Sequence, residues 1–155
     1  MKIDRYEKII IGLAVVMMVV FAGALATAAL ALGIHVPGEA GRIDPNQITT
    51  TPPFDQPGLR ELGPGRYEAV IVAQMWAFNP NQIRVPAGST VTFKIASRDV
   101  IHGFNIERTN ANIMLVPGQI SQVTVTFARP GQHLLICHEY CGIAHHAMYG
   151  MVIVE

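Results

Sequence analysis

Four side chains with soft or borderline donor atoms fall within twelve residues of this 155-residue chain. They are Cys137, Cys141, His145 and Met148, spaced by four, four and three in Cys137-His138-Glu139-Tyr140-Cys141-Gly142-Ile143-Ala144-His145-His146-Ala147-Met148. Thiolate and thioether donors together select copper over magnesium or calcium, and imidazole is compatible with copper. A structural zinc site could use the cysteines and histidines, but it has no use for Met148 and more often shows two cysteines separated by two residues. A disulfide between Cys137 and Cys141, closing a five-residue loop, is the alternative for the two sulfurs. A single-copper electron-transfer site needs one cysteine only, so the second thiolate requires a further role.

Elements able to position these donors are legible upstream. From Tyr67 onward the chain runs in short stretches rich in Val, Ile, Thr and aromatic residues. Strands are expected at 67–76, 82–85, 90–96, 103–107, 112–116, 120–127, 132–137 and 151–154. Asn79-Pro80-Asn81, Pro86-Ala87-Gly88, Pro117-Gly118 and Arg129-Pro130-Gly131 punctuate them as turns. Eight short strands without a helical stretch point to an all-β Greek-key sandwich over 67–155. Residues 35–66 carry Pro37, Pro45, Pro52, Pro53, Pro57 and Pro64 with little apolar periodicity, the composition of a linker or surface wrap.

The remaining segment belongs to a different solvent. Half of the chain is hydrophobic and only 14% is charged. Between residues 9 and 34 the apolar run is broken only by Gly12, Gly23, Thr27 and Gly33. As a helix it would span about 39 Å, more than the ~30 Å hydrocarbon core of a bilayer. A cleaved secretory signal, with Lys2, Arg5 and Lys8 as its basic region and Ala24-Leu25-Ala26 as its cleavage site, is the alternative, but such apolar regions run only about 7–15 residues. A retained transmembrane helix over 9–34 is therefore expected, with residues 1–8 as a cytoplasmic tail. Lys2, Arg5 and Lys8 precede it and only Arg42 follows closely, which by the positive-inside bias puts the rest of the chain outside. Eleven basic residues balance eleven acidic ones, so a basic nucleic-acid-binding surface and an acidic tail are both without support.

The cysteine-rich stretch resembles the binuclear copper (CuA) domain of subunit II of haem-copper cytochrome c oxidases, whose pattern is Cys-x3-Cys-x3-His-x2-Met preceded by a distant His. His102, in Asp99-Val100-Ile101-His102-Gly103-Phe104, matches that upstream position. The likeness extends from about Tyr67 to Glu155 and includes Arg84-Val85-Pro86-Ala87-Gly88 and the Arg129-Pro130-Gly131 turn. It implies a cupredoxin-like fold. The single helix is similar to the short subunit II of B-family oxidases. By this resemblance Cys137 and Cys141 bridge two coppers, His102 and His145 are imidazole ligands, and Met148 and the backbone carbonyl of Glu139 are weak ligands. The copper pair would carry a net charge of about +1 that one electron neutralises, so a rigid pocket need rearrange little. In many family members a Glu at the Glu139 position also turns its carboxylate to a magnesium ion held with subunit I; a solvated loop acid that lends only its carbonyl is the other reading.

The resemblance further implies a function: electrons are accepted one at a time from cytochrome c and passed to haems in subunit I, where oxygen is reduced to water, with no bond chemistry in this chain. Implied partners are subunit I, a further small membrane subunit, a donor cytochrome and the membrane; the implied setting is the plasma membrane of a prokaryote, with the copper domain on the periplasmic or extracellular side. Trp76, the sole tryptophan, lies in Gln74-Met75-Trp76-Ala77-Phe78. It is either an ordinary core or membrane-interface aromatic or an exposed contact through which cytochrome c delivers its electron. Eight basic and nine acidic residues follow residue 34, so the encounter surface is expected to be largely apolar. His35, His133, His138 and His146 are expected not to bind metal. Two rival functions are a membrane-anchored cupredoxin for copper delivery or storage, and a quinol-oxidase subunit that has lost copper; the intact ligand positions disfavour the second.

Overall fold

The first element among the described residues is an apolar helix with a capped polar start. The computed structural model describes residues 4–32 and 37–155, so Lys2, His35 and the last two residues of the expected helix lie outside the described residues. Helix α1 (Arg5–Leu32) begins four residues before the apolar run. The Asp4 carboxylate accepts the Tyr6 N–H (2.8 Å), and the Glu7 carboxylate accepts the Asp4 N–H (3.0 Å). This reciprocal capping box satisfies donors that would otherwise be orphaned at the helix start. The helix is long and apolar enough to cross a membrane.

The β unit contains ten strands: β1 (Gly58–Gly63), β2 (Arg66–Gln74), β3 (Ala77–Asn79), β4 (Gln82–Val85), β5 (Ser89–Ser97), β6 (His102–Ile106), β7 (Asn112–Leu115), β8 (Ile120–Phe127), β9 (Gly131–Ile136) and β10 (Tyr149–Val154). One sheet runs β1-β2-β5-β8, with β3 also paired to β2; the other runs β4-β10-β9-β6-β7. β2 pairs with β5 and β4 with β10 in parallel, and the other pairs are antiparallel. Strict alternation of buried and outward residues in β4 and β7 marks one face of each turned to the core. Between the sheets Phe93 meets Phe104 and Phe127 at ring-centroid distances of 5.6 and 6.3 Å, and Phe78 stands edge-on to Phe104 at 5.9 Å. Ile71, Val91, Ile95, Val123, Leu135 and Val152 are among the other members of this core.

Several sequence expectations are corrected. Among the described residues ten strands replace the eight expected. The expected strand 67–76 ends at Gln74, because the Met75 N–H leaves the ladder to bond the Asp99 carboxylate; the chain then turns and returns as β3. The strand expected at 103–107 starts one residue earlier, so His102 belongs to the sheet. The strand expected at 132–137 ends at Ile136, which leaves Cys137 in the following loop. The segment expected as a linker or surface wrap packs as a wrap and carries more structure than its composition suggests. It supplies β1 and a 3₁₀ turn, Pro45–Thr50, whose start is capped by Asp44. Ile43, Ile48 and Phe54 bury against Val70, Val72 and Ala96 on the outer face of β2 and β5. That second small core is why residues 69–73 of β2 are buried without alternation.

Candidate metal centre

The donors converge because of one hairpin and its neighbouring strand. β9 and β10 pair up to Ile136↔Tyr149, so Cys137 and Met148 are the first and last residues of the connection and lie opposite one another. The Cys137 N–H donates to the Met148 carbonyl (3.2 Å). Within the loop the His145 N–H bonds the Gly142 carbonyl (3.0 Å) and the Met148 N–H bonds the His145 carbonyl (3.1 Å), shaping the 3₁₀ turn His145–Ala147. β6 lies beside β9, with Asn105↔Ile136, and this brings His102 to the same end of the sandwich.

The distances describe a compact donor cluster. The two Sγ atoms are 3.8 Å apart and are not bonded as a disulfide. Cys137 Sγ lies 3.9 Å from His102 Nδ1 and 3.3 Å from the Glu139 carbonyl oxygen. Cys141 Sγ lies 3.5 Å from His145 Nδ1 and 3.7 Å from Met148 Sδ. The ligand atoms of His102, Cys137 and Cys141 all fall within 4.8 Å of one another. His102 is fully buried, and Cys137, Cys141 and Met148 are nearly so. Burial, then the adjacent Cys137, push the Cys141 thiol up to about 11. Two neighbouring thiolates in such a dry pocket need a cation between them, and sulfur and imidazole donors make that cation a soft or borderline one. The donor set therefore fits copper.

A second layer holds the donors in place. Asp99 Oδ1 is 2.8 Å from His102 Nε2, the ring nitrogen remote from the sulfurs, and accepts the Val100 N–H at 2.7 Å; Oδ2 accepts the Met75 N–H at 2.7 Å. Burial by itself raises the Asp99 carboxyl, but bonds from Met75, His102 and Val100 hold it below its ordinary value. The Trp76 indole N–H donates to the Cys141 carbonyl (3.0 Å) while the ring stays 38% exposed. The Gly103 N–H points at Cys137 Sγ (3.4 Å). A Cβ on Gly103 would sit 2.6 Å from both the backbone nitrogen and the ring of His138, so only glycine allows that approach.

Comparison with known proteins decides the family. The family described as Cytochrome C oxidase subunit II, periplasmic domain, matches residues 68–155. A cytochrome c oxidase subunit 2 from Thermus thermophilus is 37% identical over 154 residues, covering 97% of this chain and 92% of that protein. The chain belongs to the cytochrome c oxidase subunit II family. A chain in the cryo-EM structure of a haem-copper terminal oxidase dimer superposes with a TM-score of 0.76 at 37% identity, covering 97% of this chain and all of that one. The periplasmic domain of subunit II of cytochrome oxidase from Bradyrhizobium japonicum, at 19% identity and a TM-score of 0.53, shares the fold over 57% of this chain and 83% of that one. The family and the cupredoxin-like fold expected from the sequence are thus borne out. Subunit II is part of an oxidoreductase complex, and this chain carries a His/Cys/Cys candidate metal site of that copper-binding family.

The remaining expected residues are placed as follows. Trp76 sits in the turn between β2 and β3, against the loop that joins β9 to β10 rather than in the core. The Glu139 carboxylate faces His138 Nδ1 at 3.5 Å and joins no cluster of three ligand groups among the described residues. His133 contacts the Glu107 carbonyl (3.0 Å) and the Phe127 ring, away from the donors. His146 is exposed in the 3₁₀ turn. Sequence reasoning missed Asp99 and Gly103 as supporting groups; the available signal was an acid three residues before the matched histidine and a glycine directly after it.

Proposed function

We propose that this chain holds a binuclear copper centre and serves as the electron-accepting subunit of a haem-copper cytochrome c oxidase in the plasma membrane of a prokaryote, its β unit on the outer side. The observation that carries the reading is the convergence of two buried thiols, 3.8 Å apart, with His102 Nδ1 and His145 Nδ1 on opposite flanks. His102, Cys137, Cys141, His145, Met148 and the Glu139 carbonyl would hold the metals. When bound, such a copper pair would supply one-electron acceptance and release, with electrons taken from cytochrome c and given to the haems of subunit I for the reduction of oxygen to water.

The chain's own part is to keep the surroundings fixed. β6, β9 and β10 set the backbone positions of the donors, and the loop bonds Cys137 to Met148 and Gly142 to His145. Phe78 and Phe104, packed edge-on between the sheets in the same buried cluster as Cys137, Cys141 and Met148, leave water no room to reorganise there. Around the site Met75, Trp76, Val100, Ile101, Tyr140 and Ile143 stay exposed, an apolar rim suited to a donor protein without strong charge pairing. A magnesium ion at Glu139 would need its other ligands from subunit I, since no ligand cluster forms there among the described residues.

Metal analysis and electron-paramagnetic spectra of the full-length chain in detergent test the reading. Two coppers per chain with a seven-line mixed-valence signal are expected. One copper, or none, would favour the copper-delivery or copper-free alternatives and overturn it.

A further inference from the structure

One acidic side chain outside the donor set touches both halves of the site. Asp99 lies between β5 and β6, in the connection formed by residues 98–101, and its two carboxylate oxygens serve different segments. Oδ1 faces His102 Nε2 at 2.8 Å, and Oδ2 takes the Met75 N–H at 2.7 Å. Met75 directly precedes Trp76, whose indole N–H holds the Cys141 carbonyl at 3.0 Å. An ionised carboxylate can only accept hydrogen bonds, so the proton of a neutral His102 must reside on Nε2. The lone pair then belongs to Nδ1, the nitrogen that faces Cys137 Sγ at 3.9 Å. The same carboxylate pins the turn that braces the Cys141 side of the loop.

We propose that Asp99 is a positioning residue with two linked tasks: it fixes the His102 tautomer that leaves Nδ1 free to ligate, and it locks the Met75-Trp76 turn that holds the Cys141 carbonyl. The proposal rests on the copper reading above. An amide in place of the carboxylate cannot do both. Its NH2 must face either the Met75 N–H, releasing the turn, or His102 Nε2, which drives the imidazole proton to Nδ1 and removes the ligating lone pair.

The test uses the full-length chain in detergent, first without metal. Nitrogen-15 spectra should show His102 with the proton on Nε2, and the Met75 amide should be protected from hydrogen exchange. In Asp99→Asn the His102 spectrum should move toward the Nδ1–H form, or the emission of Trp76, the sole tryptophan, should shift to the red. Asp99→Glu, which keeps both acceptors, should restore part of each signal. Trp76→Phe should loosen the loop while leaving the His102 tautomer unchanged. Copper added afterward should dissociate from Asp99→Asn at least about tenfold more readily than from the unsubstituted chain, the usual scale for loss of a group that orients a ligand. An Nδ1–H tautomer or an unprotected Met75 amide in the unsubstituted chain overturns the proposal even if Asp99→Asn fails to fold. So does an Asp99→Asn chain with unchanged tautomer and unchanged emission. Failure of the unsubstituted chain to bind copper would instead overturn the metal reading, and the metal-free signals would still decide what Asp99 holds.

Discussion

At the scale of single residues, the two thiols and the thioether make separable demands. Cys137 and Cys141 are close enough to share metal ions, and a hydroxyl is a harder, far weaker bridging donor than a thiolate. Cys137→Ser or Cys141→Ser should therefore abolish the mixed-valence signal; two coppers with an unaltered spectrum in either variant would sink the bridging assignment. Met148 lies beside Cys141 through its Sδ and is buried. Met148→Leu keeps volume and apolarity, so the copper pair should survive with a shifted potential and slower oxidase turnover. Spectroelectrochemical titration checks this, and an unchanged potential would remove Met148 from the ligand set.

At the scale of elements, the β2–β3 turn does two jobs that a single substitution would confuse. Trp76 presents a partly exposed ring and also anchors the Cys141 carbonyl. Interface tryptophans often cost at least ~2 kcal/mol on truncation, roughly thirtyfold in affinity. Trp76→Ala should accordingly slow reduction by cytochrome c by about that factor, with a smaller loss toward small artificial donors. Trp76→Phe keeps an aromatic face and deletes only the N–H, so it should retain most of the cytochrome rate. Stopped-flow reduction with both donors distinguishes contact from anchoring; equal losses with both would leave Trp76 an anchor alone. The loop has its own constraint at Gly142, which sits at φ +119 with a Cβ position 2.9 Å from the indole nitrogen. Gly142→Ala should push the indole away and shift its emission to the red, since both the backbone and the space demand glycine.

At the scale of the whole molecule, two features reach beyond the donors. The segment before β1 is part of the domain's stability rather than a passive tether, because Ile48 and Phe54 bury completely or nearly so on the outer face of the sheet. Phe54→Ala should cost about 3–5 kcal/mol, the range for a large buried aromatic, read as a lowered midpoint in denaturant unfolding with the copper spectrum of the folded fraction unchanged. The apolar rim and the near balance of charges after residue 34 give the second expectation. The rate of reduction by cytochrome c should depend only weakly on ionic strength, whereas a steep fall with salt would reveal a charged docking face.

The chemistry of the donors was legible in the sequence because it is local: spacings of four, four and three put Cys137, Cys141, His145 and Met148 in one loop whatever surrounds it. The strands were legible for the same reason, their period and turn residues being short-range properties, and β4 and β8 fall where the pattern set them. Only the tertiary structure decided how far His102, 35 residues upstream, stands from the sulfurs, since that distance follows from the pairing of β6 with β9. It alone decided that Asp99 orients His102, that Trp76 braces Cys141, and that His138 packs on Gly103. These contacts join residues from different strands and loops, and no periodicity records them. The burial of Ile48 and Phe54 escaped the sequence pattern because prolines and polar residues around them mask two apolar side chains that fold back onto a sheet not yet formed at that point in the chain.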